Sequence, residues 1–174
     1  MNTPRETGFT LLELMVAIAI TGALTAVAIP SLSSWVQNSR IDSAAQTLSA
    51  GILLARSEAV SRNRSILLTS PVNAIAEICI ADPDEEKCDS SLDDNLISLI
   101  ELPGTDITID SDEAGSDGLR FNPRGRLDEA ARSALYTICD SRGEDSGVRL
   151  DINSVGRVVI QSLDAEAGDK CDTT

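Results

Sequence analysis

A long apolar run near the N-terminus constrains this chain more than any other feature. It extends from Phe9 to Pro30 and contains one charged residue, Glu13. A helix of about 20 apolar residues is long enough to cross a bilayer core. A carboxylate at the centre of such a helix costs of order 2.5–3.5 kcal/mol, and one that is retained usually has a partner. We therefore predict a transmembrane helix over residues 9–30 in which Glu13 has a functional role.

Three simpler interpretations of this run fit less well. A cleaved secretory signal has an apolar core of about 7–15 residues followed by a small-residue cleavage site, whereas this run is longer and ends at Ile29-Pro30-Ser31. A plain single-pass anchor leaves Glu13 without an explanation. A soluble core helix would need a larger apolar partner surface than the rest of the chain offers.

The start of the run carries a further signal. The segment from Gly8 to Glu13 reads GFTLLE and resembles the processing site of type IV prepilins and pseudopilins. The resemblance implies that residues 1–8 are a leader peptide and that a prepilin peptidase cuts between Gly8 and Phe9. The same enzyme would methylate the new amino terminus on Phe9.

The resemblance also implies a role for the retained helix. Glu13 would neutralise the N-terminal amine of a neighbouring subunit in a fibre, which offsets the cost of desolvating its charge. Pro30 matches a position where pilin helices commonly kink, because proline removes a helical N–H and clashes with the preceding turn. The protein would cross the bacterial inner membrane once, with its headgroup in the periplasm, before it enters a pilus at the cell surface.

Apolar residues continue at helical spacing beyond Pro30. The predicted stripe comprises Leu32, Trp35, Ala44, Ala45, Leu48, Ile52, Ala55 and Ala59. This period predicts that residues 31–62 form the amphipathic second half of the same helix. A helix from Thr10 to Arg62 would be about 80 Å long at a rise of 1.5 Å per residue. A coiled coil is disfavoured because the heptad pattern does not persist.

Short β-like runs separated by turn residues follow the helix. The predicted strands are residues 65–69, 75–81, 96–102, 106–110, 118–121, 134–139, 147–152 and 155–161. Apolar and polar residues alternate in several of them, which is typical of a sheet with one buried face. We predict an α+β fold in which the long helix packs on a β-rich headgroup, residues 63–174.

Four cysteines lie in the predicted headgroup. An even count in an oxidising compartment indicates two disulfides, although four cysteines permit three pairings. We predict the pairs Cys79–Cys88 and Cys139–Cys171, because the first would close the acidic loop 81–87 and the second would attach the polar tail. Metal or redox chemistry is disfavoured, since the chain has no histidine and no C-x-x-C motif.

The composition disfavours catalysis. The 174 residues include 28 acidic and 14 basic residues but no histidine, the commonest general base. Neither a serine elbow nor a phosphate loop occurs. Residues 110–115 superficially resemble a calcium loop, but Ala114 and Phe121 stand where an EF-hand needs oxygen ligands. We expect a solvated turn there, and no enzymatic activity, cofactor, metal or small-molecule substrate.

Three further segments make the resemblance to pilin-type proteins more specific. Residues 54–63 (LARSEAVSRN), 121–125 (FNPRG) and 155–158 (VGRV) are similar to segments of FimT/FimU-type minor pilins and the related GspH pseudopilins. The resemblance implies a structural minor pilin that assembles with other minor pilins and the major pilin in a tip or initiation complex. A GspH-type pseudopilin of a type II secretion system is an alternative.

DNA binding is a further alternative that the resemblance raises. FimT-like DNA binders carry a Gly-Arg-x-Arg pattern near the C-terminus, but here Gly156 and Arg157 are followed by Val158 and Val159. Arg157 is the one matching candidate contact. Because the formal net charge is −14, nucleic acid is not the expected partner.

Overall fold

The computed structural model describes residues 9–71, 74–81, 88, 95–104, 107–128, 133–142, 146–163 and 171. The chain divides into two compact units, the first ending at Gln37 and the second beginning at Asn38. The elements in chain order are α1 (Leu11–Arg62), β1 (Ile66–Leu68), β2 (Ile75–Ile80), β3 (Leu96–Glu101), β4 (Ile107–Ser111), α2 (Glu113–Ser116), β5 (Leu119–Phe121), β6 (Ser133–Asp140), β7 (Gly147–Asn153) and β8 (Val158–Ser162). The predicted α+β class is confirmed.

The C-terminal end of α1 is set by Asn63. Its φ of 52° lies in the left-handed region, which asparagine tolerates better than most residues. The backbone N–H of Asn63 donates to the carbonyl of Val60 at 3.4 Å, and that of Arg64 donates to the carbonyl of Ala59 at 3.3 Å. These bonds satisfy carbonyls that the last helical turn leaves free. The helix therefore stops at Arg62, where the sequence pattern placed its end.

The described strands form two antiparallel sheets of four strands each. Their strand orders are β3-β2-β1-β5 and β4-β6-β7-β8. In the longest pairing, Tyr136 of β6 lies opposite Leu150 of β7, and Ile138 lies opposite Val148. Side chains on β7 alternate between buried and half-buried positions. The predicted sheet with one buried face is thus confirmed for this strand.

All eight predicted strands are present, and the predicted bounds are correct to within one residue except at β8. That strand begins at Val158 and not at the predicted Val155. The side chain of Asn153 holds the preceding residues in a turn, because its Oδ1 accepts backbone hydrogen bonds from Val155 at 3.2 Å and from Arg157 at 2.9 Å. Asparagine commonly stabilises turns in this way.

One hydrophobic cluster joins the second half of α1 to both sheets. The buried side chains of the helix are Ile41, Ala44, Ala45, Leu48, Ile52, Ala55 and Ala59. Small residues let the helix lie close to the first sheet, since a Cβ atom at Gly51 would collide with the side chain of Ile100. Leu32 and Trp35 were predicted in this stripe, but they are 59% and 66% exposed. The predicted helical period is confirmed as far as Arg62, and the buried face of the helix begins at Ile41.

Candidate functional site

Glu13 lies in the first turn of α1 and bonds to the residue that caps the helix. Its Oε2 accepts hydrogen bonds from the backbone N–H of Thr10 at 3.0 Å and from Thr10 Oγ1 at 3.1 Å. The backbone N–H of Glu13 donates in return to Thr10 Oγ1 at 3.2 Å. This is a reciprocal capping box. It satisfies two donors at the helix start, where a bilayer would supply no water to do so.

The helical surface around Glu13 is apolar and exposed. The side chains of Leu11, Leu12 and Leu14 are 76%, 72% and 59% exposed. The hydroxyls of Thr21 and Thr25 donate to backbone carbonyls one turn earlier, both at 2.7 Å. Between Phe9 and Ser39 the one charged residue is Glu13. Its carboxylate is therefore the distinctive chemical group of an otherwise apolar surface.

The length and composition of α1 allow it to cross a membrane. Its most apolar window has a mean hydropathy of 2.2. No other helix among the described residues is both long enough and apolar enough to cross a membrane. Phe9 precedes the cap and is 92% exposed, whereas Gly8 lies outside the described residues. Pro30 lies inside α1, and the helix continues on both sides of it. The kink at Pro30 stays a prediction.

Both predicted disulfides are confirmed. Cys79 in β2 bonds to Cys88, and Cys139 in β6 bonds to Cys171, each with a Cα–Cα distance of 5.8 Å. Loop residues 82–87 and most of the tail lie outside the described residues. Each bond ties a residue outside the sheets to a strand inside them, so the two bonds brace the headgroup at separate places.

Two turns in the headgroup repeat one local structure. In the first, Asn122 Oδ1 accepts the backbone N–H groups of Arg124 and Arg126 at 2.9 and 3.2 Å. In the second, Asn153 Oδ1 accepts from the residues at the same two offsets, as described above. Both segments read N-x-x-G-R. This short repeat was missed in the sequence, although its spacing was visible there.

The glycines of the two turns pack against one side chain of α1, that of Arg56. A Cβ atom at Gly125 would lie 3.3 Å from Arg56 Nε, and one at Gly156 would lie 3.1 Å from Arg56 Cδ. Both glycines adopt positive φ, 69° and 71°, which a residue with a side chain rarely adopts. The three segments that resemble the FimT/FimU and GspH group therefore meet at Arg56.

Residues 110–115, which superficially resemble a calcium loop, contain the N-terminal cap of a short helix. Asp112 is the N-cap of α2, and its Oδ1 accepts the backbone N–H of Gly115 at 2.9 Å. The segment therefore holds the end of β4, one residue beyond the predicted strand end, and a short helix where a solvated turn was predicted. Among the described residues, no group of three or more His, Cys, Asp or Glu side chains could hold a metal ion. Arg157, the candidate DNA contact, is exposed beside Gly156.

Comparison with solved structures identifies the fold. A crystal structure of the type IV minor pilin FimU of Pseudomonas aeruginosa matches with a TM-score of 0.58 and 21% identity, over 79% of this chain and 97% of that chain. The minor pseudopilin EpsH from the Type 2 Secretion System of Vibrio cholerae matches with a TM-score of 0.50 and 13% identity, over 71% and 97%. None of the curated proteins matches the sequence significantly. Identities this low show a shared fold, which is that of minor pilins and minor pseudopilins.

Family profiles agree with the fold. Residues 3–29 match the prokaryotic N-terminal methylation motif. The chain belongs to the family described as Type II transport protein GspH, whose profile matches residues 44–156. The resemblance to FimT/FimU-type and GspH-related proteins is thus confirmed. The methylation motif and the apolar helix together indicate membrane anchoring and assembly with other pilin-type subunits.

Proposed function

We propose that the protein is a minor type IV pilin, a structural subunit of the pilus tip or initiation complex that supports fibre assembly. Its role in the fibre would serve motility, adhesion or DNA uptake. It acts by binding other minor pilins and the major pilin, and it is not an enzyme. The observation that carries this proposal is the position of Glu13, held by Thr10 at the start of an apolar helix within the methylation motif.

The geometry at Glu13 suits pairing between subunits. Glu13 Oε2 is engaged by Thr10, while no donor among the described residues contacts Oε1. The capping box therefore fixes the carboxylate at the helix start and leaves one oxygen for an incoming cation. The methylated amine of a neighbouring subunit would supply that cation, and pairing would offset the cost of a carboxylate in an apolar surrounding.

The proposed location follows from the same helix and from the disulfides. Residues 9–30 would anchor the protein in the bacterial inner membrane, with residues 63–174 in the periplasm. Disulfides form and persist in that oxidising compartment, which agrees with the two bonds of the headgroup. After processing by prepilin peptidase, the subunit would leave the membrane by entering the pilus.

Processing can be tested by mass spectrometry of the chain co-expressed with a prepilin peptidase. We expect a mature protein that begins at Phe9 and carries one added methyl group. Gly8→Arg should keep the leader, whereas the matched control Gly22→Ala, inside α1, should be processed normally. A mature mass unchanged by Gly8→Arg would reject the cleavage site.

A type II secretion pseudopilin is the second candidate. It is favoured by the match of residues 44–156 to the family described as Type II transport protein GspH. Deletion of the gene distinguishes the two. A minor pilin predicts loss of surface pili with normal secretion of type II substrates, and a pseudopilin predicts the reverse.

The DNA-binding alternative is tested separately by a gel shift of the full chain in neutral detergent. Because the chain is strongly acidic and lacks the second arginine after Arg157, we expect no shift even at low salt. A salt-dependent shift that Arg157→Gln abolishes would make DNA binding the preferred function.

A further inference from the structure

Four arginines gather around the two repeated turns. Arg124 and Arg126 flank Gly125, Arg157 follows Gly156, and both glycines pack on Arg56. A backbone hydrogen bond also links the turns, since Leu127 N–H donates to the carbonyl of Ser154 at 3.0 Å. The sequence separates these residues by up to about a hundred positions, so only the fold brings them together. We call the surface formed by Arg56, Arg124, Arg126 and Arg157 the arginine surface.

The arginines of this surface contrast with three arginines of the chain that form ion pairs. Elsewhere Arg62 pairs with Glu58, Arg142 with Asp140, and Arg149 with Asp151. Among the described residues, none of the four arginines in the arginine surface forms an ion pair or a side-chain hydrogen bond. Arg124, Arg126 and Arg157 are exposed, and Arg56 is half-buried. The fold thus leaves four of the chain's 14 basic residues available in one place.

Exposed apolar side chains lie beside these arginines. Val60 is 53% exposed, and its Cγ2 lies 2.9 Å from where a Cβ of Gly125 would be. Val155, in the second turn, is 42% exposed. Arginines next to apolar groups are typical of protein interfaces, where arginine is enriched and charged lysine is depleted. The planar guanidinium also binds carboxylates through two parallel hydrogen bonds.

We propose that the arginine surface is the docking site for a carboxylate-rich headgroup surface of another pilin-type subunit. Complementary charge would fix which subunit binds and in which register. Electrostatic interactions between exposed charges reach only about 8 Å at physiological ionic strength. The partner's carboxylates would therefore interact mainly with the arginines and little with those acidic residues of this chain that lie beyond this distance.

The same observations disfavour a nucleic acid on this surface. A duplex carries one negative charge per about 1.7 Å of its axis, so it would extend from the arginine surface onto the acidic remainder of the chain. Single strands bind through aromatic side chains on which bases stack. The two aromatic residues of the headgroup, Phe121 and Tyr136, are fully buried. A compact carboxylate surface suits the four arginines better.

This inference rests on the proposed role in assembly, so binding and assembly are tested separately. Binding uses the full chain in neutral detergent and two fluorescent probes, a peptide of ten glutamates and a strand of ten thymidines. We expect the peptide to bind more tightly than the strand, and Arg124→Gln with Arg126→Gln to weaken peptide binding about tenfold, or about 1.4 kcal/mol. Arg40→Gln is the matched control, because Arg40 is exposed on α1 about 24 Å before Arg56.

Absence of peptide binding, or an equal loss in Arg40→Gln, would overturn the proposal. Tighter binding of the thymidine strand with the same arginine dependence would replace the protein partner with a nucleic acid.

In cells, the double variant should be processed normally but enter fibres less than the wild type. If the wild type enters fibres and the double variant does so equally, only the arginine surface is rejected. If the wild type never enters fibres, the proposed function itself fails.

Discussion

The phenol hydroxyl of Tyr136 donates a 3.0 Å hydrogen bond to the backbone carbonyl of Gly115. Tyr136 is fully buried in β6, and Gly115 belongs to the short helix α2. Asp112 strengthens the same connection, since its Oδ1 accepts the N–H of Gly115 at 2.9 Å and that of Leu135 at 3.1 Å. These bonds join α2 to the second sheet.

Tyr136→Phe should destabilise the headgroup through the loss of the phenol hydroxyl, which bonds to Gly115 and also to Ser70. The variant keeps the buried ring but removes one hydrogen bond to the carbonyl of Gly115, which still accepts the N–H of Gly118 at 3.0 Å. We therefore expect a loss of about 0.5 to 1.5 kcal/mol. Thermal unfolding of the full chain in neutral detergent should show a lower Tm. Tyr136→Ala is the comparison, because loss of the ring should cost a further few kcal/mol. Equal Tm values for the wild type and the Phe variant would mean that the hydroxyl of Tyr136 contributes nothing to the stability of the headgroup.

The same tyrosine should make the headgroup sensitive to alkaline pH. Burial raises the pKa of Tyr136, and the neighbouring carboxylate of Asp112 raises it further, although a hydrogen bond with Ser70 opposes both effects. In the unfolded chain the phenol loses its proton near pH 10. Below that pH the contribution to stability is fully present. Above it the unfolded state holds fewer protons, so stability should fall by about 1.4 kcal/mol per pH unit.

This pH dependence has a direct readout, because Tyr136 is the one tyrosine of the chain. Absorbance at 295 nm of the folded protein should not rise near pH 10, and it should rise there after unfolding. Tyr136→Phe should remove the corresponding part of the alkaline loss of stability. A phenol that titrates near pH 10 in the folded protein would contradict the buried position.

Sequence periodicity predicted the elements because each follows from local chemistry. The helical spacing up to residue 62 and the alternation in β7 depend on side chains that face one common core. The disulfide pairs could be chosen because each closes a plausible loop, although the count of cysteines alone allowed three pairings. What could not be predicted is where distant turns meet. The approach of Gly125 and Gly156 to Arg56 depends on how both sheets lie on α1, which no local pattern encodes.

Two details were visible in the sequence but were not recognised. Thr10 and Glu13 have the T-x-x-E spacing of a capping box, which indicates a hydrogen-bonding role for Glu13 besides that of its charge. The second detail is Asn153, whose side chain holds the following residues in a turn, so that β8 begins only at Val158. The apolar residue Val155 suggested strand there, but a turn stabilised by asparagine overrides the β propensity of valine.

The two disulfides should contribute unequally to stability. They span 9 and 32 residues, and the chain-entropy relation gives about 2.6 kcal/mol for the shorter loop and about 3.7 kcal/mol for the longer one. Replacing both cysteines of a pair with serine should therefore lower Tm more for Cys139–Cys171 than for Cys79–Cys88. The opposite order would show that the chain entropy of the unfolded state does not control their contributions.

Alanine at either repeated glycine should strain the turn that contains it. The positive φ of Gly125 and Gly156 is unfavourable for alanine by about 1 to 2 kcal/mol. A new Cβ would also press on Val60 Cγ2 at 2.9 Å in the first case and on Phe121 Cε1 at 2.8 Å in the second. We expect a lower Tm for both variants. Gly22→Ala is the control, since a Cβ there meets nothing within 4 Å; a comparable loss in the control would refute a specific role for the turns.

Variants at Thr10 and Glu13 separate the capping role of the carboxylate from its charge. Thr10→Val removes the hydroxyl partner of the capping box and keeps the charge of Glu13. Glu13→Gln keeps an oxygen that can accept from Thr10 but removes the charge. If pairing with a neighbour's amine drives assembly, incorporation into fibres should fall about tenfold or more in Glu13→Gln, which corresponds to at least about 1.4 kcal/mol. Thr10→Val should lose much less, because an N-cap contributes only about 1 kcal/mol to a long helix that packing and lipid already stabilise.

Membrane insertion provides the control for both variants. Glu13→Leu removes the charge and the acceptor, so it should insert at least as well as the wild type while failing to assemble. Insertion is measured by protease accessibility of the headgroup, and assembly by the amount of subunit in sheared fibres. If Glu13→Gln assembled as well as the wild type while Thr10→Val did not, the carboxylate would act as a helix cap and the proposed pairing between subunits would be wrong.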